Sequence, residues 1–140
     1  MPTIETRADI NQLVNAFYAR IRQDELLGPI FNAHLTEEQW PLHLEKLTDF
    51  WETNLFGVAA FKGSPTRAHV QMDYNLGHTI KQAHFAHWLK LWFATVDGLF
   101  TGARATRAKQ AASNMAVGQF VMIWRNRPEQ RAKRPGHPII

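Results

Sequence analysis

Residues 40–56, "WPLHLEKLTDFWETNLF", are the stretch that decides the fold. Apolar side chains recur in this stretch at intervals of three and four residues, which is the period of an α-helix with a buried face. They form two adjacent stripes. The first consists of Trp40, Leu44, Trp51 and Leu55, and the second of His43, Leu47, Phe50 and Asn54. The predicted helix therefore has a double apolar face, and a histidine lies on one side of it.

Both ends of this predicted helix carry recognisable signals. Thr36 and Gln39 have the spacing of a capping box, and Pro41 is tolerated in a first helical turn. Gly57 directly follows the last apolar position, where helices commonly end. The sequence therefore predicts a helix that ends at Gly57.

The same periodicity predicts three more long helices. The first begins after Thr6, which forms a capping pattern with Asp9, and stops before Gly28. The others cover about residues 81–100 and 103–126, separated by a glycine at position 102. Because no useful strand alternation occurs, four substantial helices predict a compact all-α domain.

Two stretches interrupt the helical pattern. "PIFNAH", residues 29–34, predicts a turn or short helical piece that carries Phe31 inward. Residues 57–77 are broken by glycine and proline, and only a brief helix over residues 65–71 is predicted there. An irregular segment of about 20 residues is uncommon in a compact domain unless it has a function. It contains "FKGSPTRAHVQM", residues 61–72, in which His69 lies among small and apolar neighbours.

The length and amino-acid composition of the chain exclude several kinds of functional site. The 140-residue chain has the length of one domain, and its five tryptophans and nine phenylalanines exceed what a core of this size needs. It has no cysteine, which excludes disulfides, thiolate nucleophiles and cysteine-based metal sites. The sequence shows neither an 18-residue apolar run nor a charged-then-apolar leader. We therefore expect a soluble, cytoplasmic protein without a membrane partner.

The positive charge is concentrated at one end of the chain. The formal net charge is +4, and residues 125–140 contain five basic residues and one acidic residue. The rest of the chain is therefore neutral, so a basic groove for nucleic acid is not expected. We divide the chain into a domain of residues 1–127 and a basic tail of residues 128–140, which is expected to be disordered.

Three side chains with polar tips lie on otherwise apolar helix faces: Tyr18, His43 and Trp88. Buried donors need partners. Each tip could bond a backbone carbonyl or water, or all three could converge on a bound ligand. The residues alone leave both possibilities open.

His69 follows His43 by 26 residues. A flat apolar slot with a histidine on each side suits a haem, whose iron takes one neutral imidazole and leaves its other side open. The second ring N–H of such a ligand needs an acceptor, for which the Pro65 carbonyl is a candidate. Arg67 could form a charge-assisted bond to a haem propionate.

Five segments together resemble the successive motifs of a truncated haemoglobin of the third, bacterial group. They are "NAFYARIRQD", "LGPIFN", "WPLHLEKLTDFW", "FKGSPTRAHVQM" and "HFAHWLKLWFATVDGLF", and they span about residues 10–125. Each motif is weak, but their order and spacing are specific. The glycine-pair motifs typical of the other two groups are missing, which favours the third. The resemblance implies a globin-like, truncated two-over-two helical sandwich.

The family's functional residues match positions of this chain. The resemblance implies haem b (iron protoporphyrin IX), with His69 as the iron ligand. On the opposite, ligand-binding side it implies Tyr18, His43 and Trp88, and the implied haem contacts are Phe31, Leu47, Phe50 and Trp51.

From these residues we expect a haem protein that binds oxygen, nitric oxide or carbon monoxide at a pentacoordinate iron. Convergent donors stabilise negative charge on a bound ligand and slow its release. This favours redox chemistry, either nitric oxide oxidation or peroxide activation, over bulk oxygen transport. Such an activity would require a reductase, which the sequence does not identify. A haem-free all-α binding domain and a haem-based gas sensor are the alternatives.

The chain departs from the family in one place. Between His69 and Trp88 the link is longer than usual, and it contains His78, a rival for the iron-ligand position. The spacing Gly63-x-Pro65-x-x-x-His69 fits the family and favours His69. Two further histidines in this region, His84 and His87, lie three residues apart on a predicted helix and are expected to be a surface pair rather than a metal site.

Overall fold

The computed structural model describes residues 1–133. Over this part of the chain the fold consists of α-helices, and it has no β-strand beyond an isolated bridge between Thr3 and Thr101. The helices are α1 (Arg7–Gln23), α2 (Gly28–His34), α3 (Trp40–Phe56), α4 (Pro65–Asn75), α5 (Gln82–Leu99), α6 (Ala103–Arg125) and α7 (Pro128–Lys133). The four long helices were all predicted from the sequence. In this part of the chain no helix is long and apolar enough to cross a membrane.

The helix ends follow from local hydrogen bonding. The Thr6 side chain accepts from the Asp9 N–H and the Asp9 carboxylate accepts from the Thr6 N–H, which completes the predicted capping box of α1. α3 begins at Trp40, after a turn in which the Thr36 N–H donates to Oε1 of Gln39. It ends at Gly57, whose φ of 71° is the left-handed conformation that glycine adopts without strain.

The corner between α1 and α2 is tight. A Cβ atom on Gly28 would lie 2.8 Å from the carbonyl oxygen of Arg22, so this position requires glycine. The carboxylate of Asp24 accepts from the backbone N–H groups of residues 26 and 27. Asp24 Oδ1 also lies 2.8 Å from Nε2 of His87 on α5, which fixes the corner to that helix.

Two pairs of helices pack against each other. α1 lies against α3 and α5 lies against α6, while contacts of α1 with α5 and of α3 with α6 join the two pairs. The short helices attach to this frame, α2 to α1 and α4 to α6. This is the two-over-two helical sandwich that the sequence predicted.

An aromatic cluster forms the centre of the sandwich. Trp92 is fully buried, and its ring stacks against those of Trp51, at 4.7 Å, and Trp88, at 6.1 Å. Phe17 packs edge-on against Trp92 at 4.9 Å. The indole Nε1 of Trp92 donates to the Ala108 carbonyl at 3.1 Å. One side chain therefore joins α1, α3, α5 and α6.

α4 and the link after it differ from the prediction. α4 continues to Asn75, four residues past the predicted end at Gln71. Asp73 is buried and forms a two-bond ion pair with Arg127, at 3.1 and 3.0 Å. The carboxylate of Asp73 also accepts from the Ile80 N–H, and Arg127 donates to the Ile80 carbonyl. The link is therefore tied to the end of α6.

The segment beyond Arg127 also differs in part from the prediction. Residues 128–133, expected to begin a disordered tail, form the short helix α7. The rest of that tail, residues 134–140, lies outside the described residues. Arg127, which the charge count grouped with the tail, belongs structurally to the folded body because it pairs with Asp73.

Arg127→Met should lower the free energy of unfolding by about 3–5 kcal/mol, because it leaves a buried carboxylate without its counter-charge. Adding Asp73→Leu should recover part of that loss. Lys109→Met is the control, since Lys109 pairs with the largely exposed Asp97 and surface pairs contribute about 0–1 kcal/mol. Urea unfolding of the parent protein and the three variants measures these values. Equal losses for Arg127→Met and Lys109→Met would contradict a structural role for the buried pair.

Candidate functional site

A cavity of about 360 Å³ lies between α3, α4, α5 and α6 and reaches the ends of α1 and α2. Its volume is in the range of small-molecule and cofactor sites, which are also mostly apolar. All four predicted apolar contacts line it: Phe31, Leu47, Phe50 and Trp51. Further apolar lining comes from Met72, Ile80, Phe85 and Met115. His43, Leu47 and Phe50 of the second stripe of α3 therefore face this cavity. Of the first stripe, Trp40 and Leu55 are buried in the core, and the buried Trp51 also reaches the cavity.

The three polar-tipped side chains meet on one side of the cavity. Tyr18 from α1, His43 from α3 and Trp88 from α5 all line it, and the rings of Tyr18 and His43 are 6.1 Å apart. Burial raises the pKa of Tyr18 to about 12, and a hydrogen bond with the Trp88 side chain acts in the opposite direction. An indole N–H can only donate, so the phenol oxygen is the acceptor of that bond.

His43 is held in its neutral form. Burial is the main cause that lowers its pKa to about 4, and the nearby positive or ionisable groups of His34, Lys46 and His69 lower it further. At neutral pH the imidazole of His43 therefore has one N–H donor and one nitrogen acceptor. It can donate to a ligand in the cavity without a change in charge.

His69 lines the cavity from α4. Its Nδ1 lies 3.2 Å from Oε1 of Gln119 on α6, and its ring meets that of Phe85 edge-on at 5.7 Å. Burial lowers the pKa of His69, against an opposing effect of the Gln119 hydrogen bond, and so favours the neutral imidazole. The predicted partner, the Pro65 carbonyl, is not the acceptor found here. A side chain of another helix takes that place because α6 packs against α4.

An imidazole that donates through Nδ1 has its lone pair on Nε2. This is the form in which a histidine binds a metal, and a fixed acceptor at Nδ1 is the usual support for such a ligand. With Oε1 of Gln119 as the acceptor, His69 would have the tautomer and the support that a metal ligand needs. It lines the same cavity as Tyr18, His43 and Trp88.

The rival histidine is placed elsewhere. His78 is not among the residues that line the cavity, and its ring packs against Tyr74 at a centroid distance of 5.8 Å. Its φ of 60° lies in the left-handed region, in the turn that ends at the Asp73 and Arg127 network. The geometry thus favours His69 over His78 for any ligand in the cavity.

The histidine pair of α5 does not form a metal site. His84 borders the cavity, but its Nδ1 accepts from the Lys81 N–H at 2.8 Å. His87 is paired with Asp24 at the α1–α2 corner. Within residues 1–133 no group of three or more histidine, cysteine or acidic side chains is arranged to hold a metal ion. Both histidines are partly buried rather than on the open surface.

Arg67 lies apart from the predicted cofactor contacts. It is exposed on α4 and is not among the lining residues. The cationic side chains that do line the cavity belong to Lys46 and Lys62. Carboxylates of a ligand in the cavity would therefore meet lysines before Arg67.

Gln119 is the lining residue that sequence reasoning missed. A signal for it was present, because Ala112, Ala116 and Ile123 of α6 are all buried and Gln119 continues their spacing of four, three and four residues. A glutamine in an otherwise apolar stripe indicates a polar group that needs a specific partner. Only the packing of α4 on α6 shows that this partner is His69.

The helical arrangement and the cavity define a globin-like protein of the shortened, two-over-two type. No protein-family model matches the chain. A curated protein, Group 3 truncated hemoglobin ctb of Campylobacter jejuni, is 34% identical over 85 residues, which are 59% of this chain and 63% of that protein. The aligned part thus spans less than two thirds of that relative. A crystal structure of a group III truncated hemoglobin from Campylobacter jejuni matches with a TM-score of 0.76 at 27% identity, over 88% of this chain and 95% of the other.

The two comparisons agree in the group that they indicate, although one rests on sequence and the other on structure. They confirm the resemblance found in the motifs: the chain is similar to group 3 truncated hemoglobins in sequence and in fold.

Tyr18→Phe should reduce the loss of stability at alkaline pH. The raised pKa of Tyr18 means that its contribution is complete below about pH 10 and is lost as the pH rises toward 12. Two pKa units correspond to about 2.7 kcal/mol, so the fall in unfolding free energy over this range should be smaller in the variant by about that amount. Urea unfolding at pH 9, 10, 11 and 12 measures it.

Tyr74→Phe is the matched control, because the side chain of Tyr74 is exposed. This variant should follow the pH dependence of the parent protein. If Tyr18→Phe follows it too, the phenol of Tyr18 is not buried as described.

Proposed function

We propose that the cavity holds haem b, with His69 as the iron ligand and with Tyr18, His43 and Trp88 around a diatomic ligand on the other side. The observation that carries the proposal is the neutral imidazole of His69, supported at Nδ1, in an apolar cavity that three polar-tipped side chains also enter. The hemoglobin relatives named above support it, because their names describe haem proteins.

The residues of the cavity fit this cofactor. A haem needs an apolar slot, and Leu47, Phe50 and Phe31 supply aromatic and aliphatic surface on its lining. The lysines at positions 46 and 62 offer positive charge to the propionates. When bound, haem supplies an iron that accepts one protein imidazole and keeps a position for an exogenous ligand. We propose that the iron is pentacoordinate, with His43, on the side of Tyr18, acting as a hydrogen-bond donor and not as a second iron ligand.

Tyr18 is the proposed main donor to a bound ligand. Because its oxygen accepts the hydrogen bond from Trp88, its own proton remains available for another acceptor. A donor that is itself an acceptor becomes polarised, which strengthens the bond that it gives. Trp88 therefore acts through Tyr18, and His43 can add a second donor from α3.

This donor arrangement favours redox chemistry over transport. Preplaced donors in a water-poor site stabilise negative charge on a ligand, and the same stabilisation slows ligand release. Fast release is what bulk oxygen transport would need. We therefore propose nitric oxide oxidation or peroxide activation as the activity, with electrons supplied by a reductase. The proposed ligands are the gases oxygen, nitric oxide and carbon monoxide. Neither a nucleic acid nor a membrane is proposed as a partner.

His69→Ala should abolish the ligation and leave binding of haem dependent on added imidazole. The parent protein, reconstituted with haemin, should show a strong Soret band and the ferrous spectrum of a five-coordinate imidazole complex. His78→Ala is the control and should leave both spectra unchanged. A folded parent protein that ignores haemin would overturn the proposal in favour of a haem-free binding domain. Normal spectra for His69→Ala with altered spectra for His78→Ala would move the ligand to His78.

Tyr18→Phe should speed oxygen dissociation by about 10- to 100-fold, because a hydrogen bond to a charged group contributes about 1.5–3 kcal/mol. Trp88→Phe should have a smaller effect of the same sign, since it acts through the phenol. Stopped-flow measurement of oxygen release gives both rates. Trp124→Phe, at an exposed tryptophan, is the control. Rates equal to the parent's for Tyr18→Phe and Trp88→Phe would refute the proposed donor network.

A further inference from the structure

We propose that Gln119 is the residue that positions His69, and that its side-chain amide sets both the orientation and the donor strength of the imidazole. This inference rests on the proposed haem function. It adds a residue that none of the motifs contains. It also gives α6 a direct part in the site.

The contact between Gln119 and His69 joins two helices that are distant in the sequence. Gln119 and His69 are 50 residues apart in the chain and lie on different helices, with Nδ1 and Oε1 at 3.2 Å. The ring of His69 also meets Phe85 of α5 at 90°. One polar and one apolar contact, from two helices, therefore restrict the rotation of the imidazole. The His69 side chain is not oriented by its own helix alone.

The orientation of the amide determines which tautomer of His69 the hydrogen bond favours. With Oε1 toward Nδ1, the imidazole donates and keeps its lone pair on Nε2. With the amide NH₂ toward Nδ1, the proton would be on Nε2 and metal binding would be blocked. Since a neutral histidine needs its Nε2 free to act as a ligand, the observed pairing is the productive one.

A neutral amide is an acceptor of intermediate strength. A carboxylate at the same place would draw the Nδ1 proton more strongly and make the imidazole a better electron donor, because charge-assisted bonds are about twice as strong. An apolar side chain would leave Nδ1 without a partner and weaken the donor. With Gln119 as the acceptor, the electron-donor strength of the His69 imidazole therefore lies between the values expected with a carboxylate and with an apolar side chain.

The test compares two variants. In Gln119→Glu the ionised carboxylate is a hydrogen-bond acceptor and not a donor, whereas in Gln119→Leu the side chain forms no hydrogen bond. In the ferrous, ligand-free holoprotein, the iron–histidine stretching band in resonance Raman spectra should move to higher frequency in Gln119→Glu and lower in Gln119→Leu. The reduction potential should fall in the first variant and rise in the second. Haem transfer to an apoglobin acceptor should be about 10- to 100-fold faster from Gln119→Leu.

Gln110→Leu is the matched control, because it removes an exposed glutamine from the same helix. It should leave the band, the potential and the transfer rate unchanged. If Gln119→Glu and Gln119→Leu also match the parent protein in band position and potential, Gln119 does not tune His69 and the inference is overturned.

A readout on the haem-free chain separates this inference from the proposed function. Imidazole nitrogen shifts in ¹⁵N NMR should show His69 protonated at Nδ1 in the parent protein and in Gln119→Glu, and a mixture of tautomers in Gln119→Leu. Failure of all three proteins to bind haem would reject the haem function while these shifts still test the contact. The same tautomer population in the parent protein and in Gln119→Leu would reject the contact itself.

Discussion

Stacking of Trp92 on Trp51 and Trp88 is the interaction on which the rest of the structure depends. Trp92 is fully buried where α1, α3, α5 and α6 meet, and Phe17 closes the cluster from α1. Trp51 and Trp88 also line the cavity. The same two rings therefore belong both to the packed centre and to the cavity wall. A change in the central stacking would therefore displace the side of the cavity that holds the donors.

The side of the cavity formed by α4 is positioned by polar contacts instead of aromatic stacking. α4 buries little apolar surface, and Asp73 is its buried residue. Two polar contacts attach it to the C-terminal half of α6 and the residues just beyond: His69 with Gln119, and Asp73 with Arg127. Hydrogen bonds and ion pairs are directional, so they define the placement of a short helix more closely than apolar contact does. The position of α4, which carries His69, therefore depends on a few polar atoms.

The different interactions on the two sides of the cavity explain which features could be predicted from the sequence. The long helices follow from helical periodicity, which is local in the chain. The shared site of Tyr18, His43, Leu47 and Trp88 was implied only by the family resemblance. The full length of α4 and the roles of Asp73, Gln119 and Arg127 depend on partners 50 or more residues away. No sequence pattern singled out Asp73, and Arg127 was counted with a basic tail. The cavity position of His69 agreed with the family resemblance, but the acceptor at its Nδ1 was visible only in the packing.

The hydrogen-bonding groups on the two sides of the cavity are complementary. On one side, we propose that the Trp88 indole donates to the Tyr18 oxygen, whose pKa it lowers, and so leaves the phenol proton free. On the other, Gln119 accepts the Nδ1 proton of His69 and leaves the Nε2 lone pair free. Each supporting residue satisfies one polar atom and directs the other toward the cavity. The result is a proton donor on one side and an electron-pair donor on the other, both neutral because burial disfavours their charged forms. These two groups would hold the proposed haem and supply a hydrogen bond to its ligand.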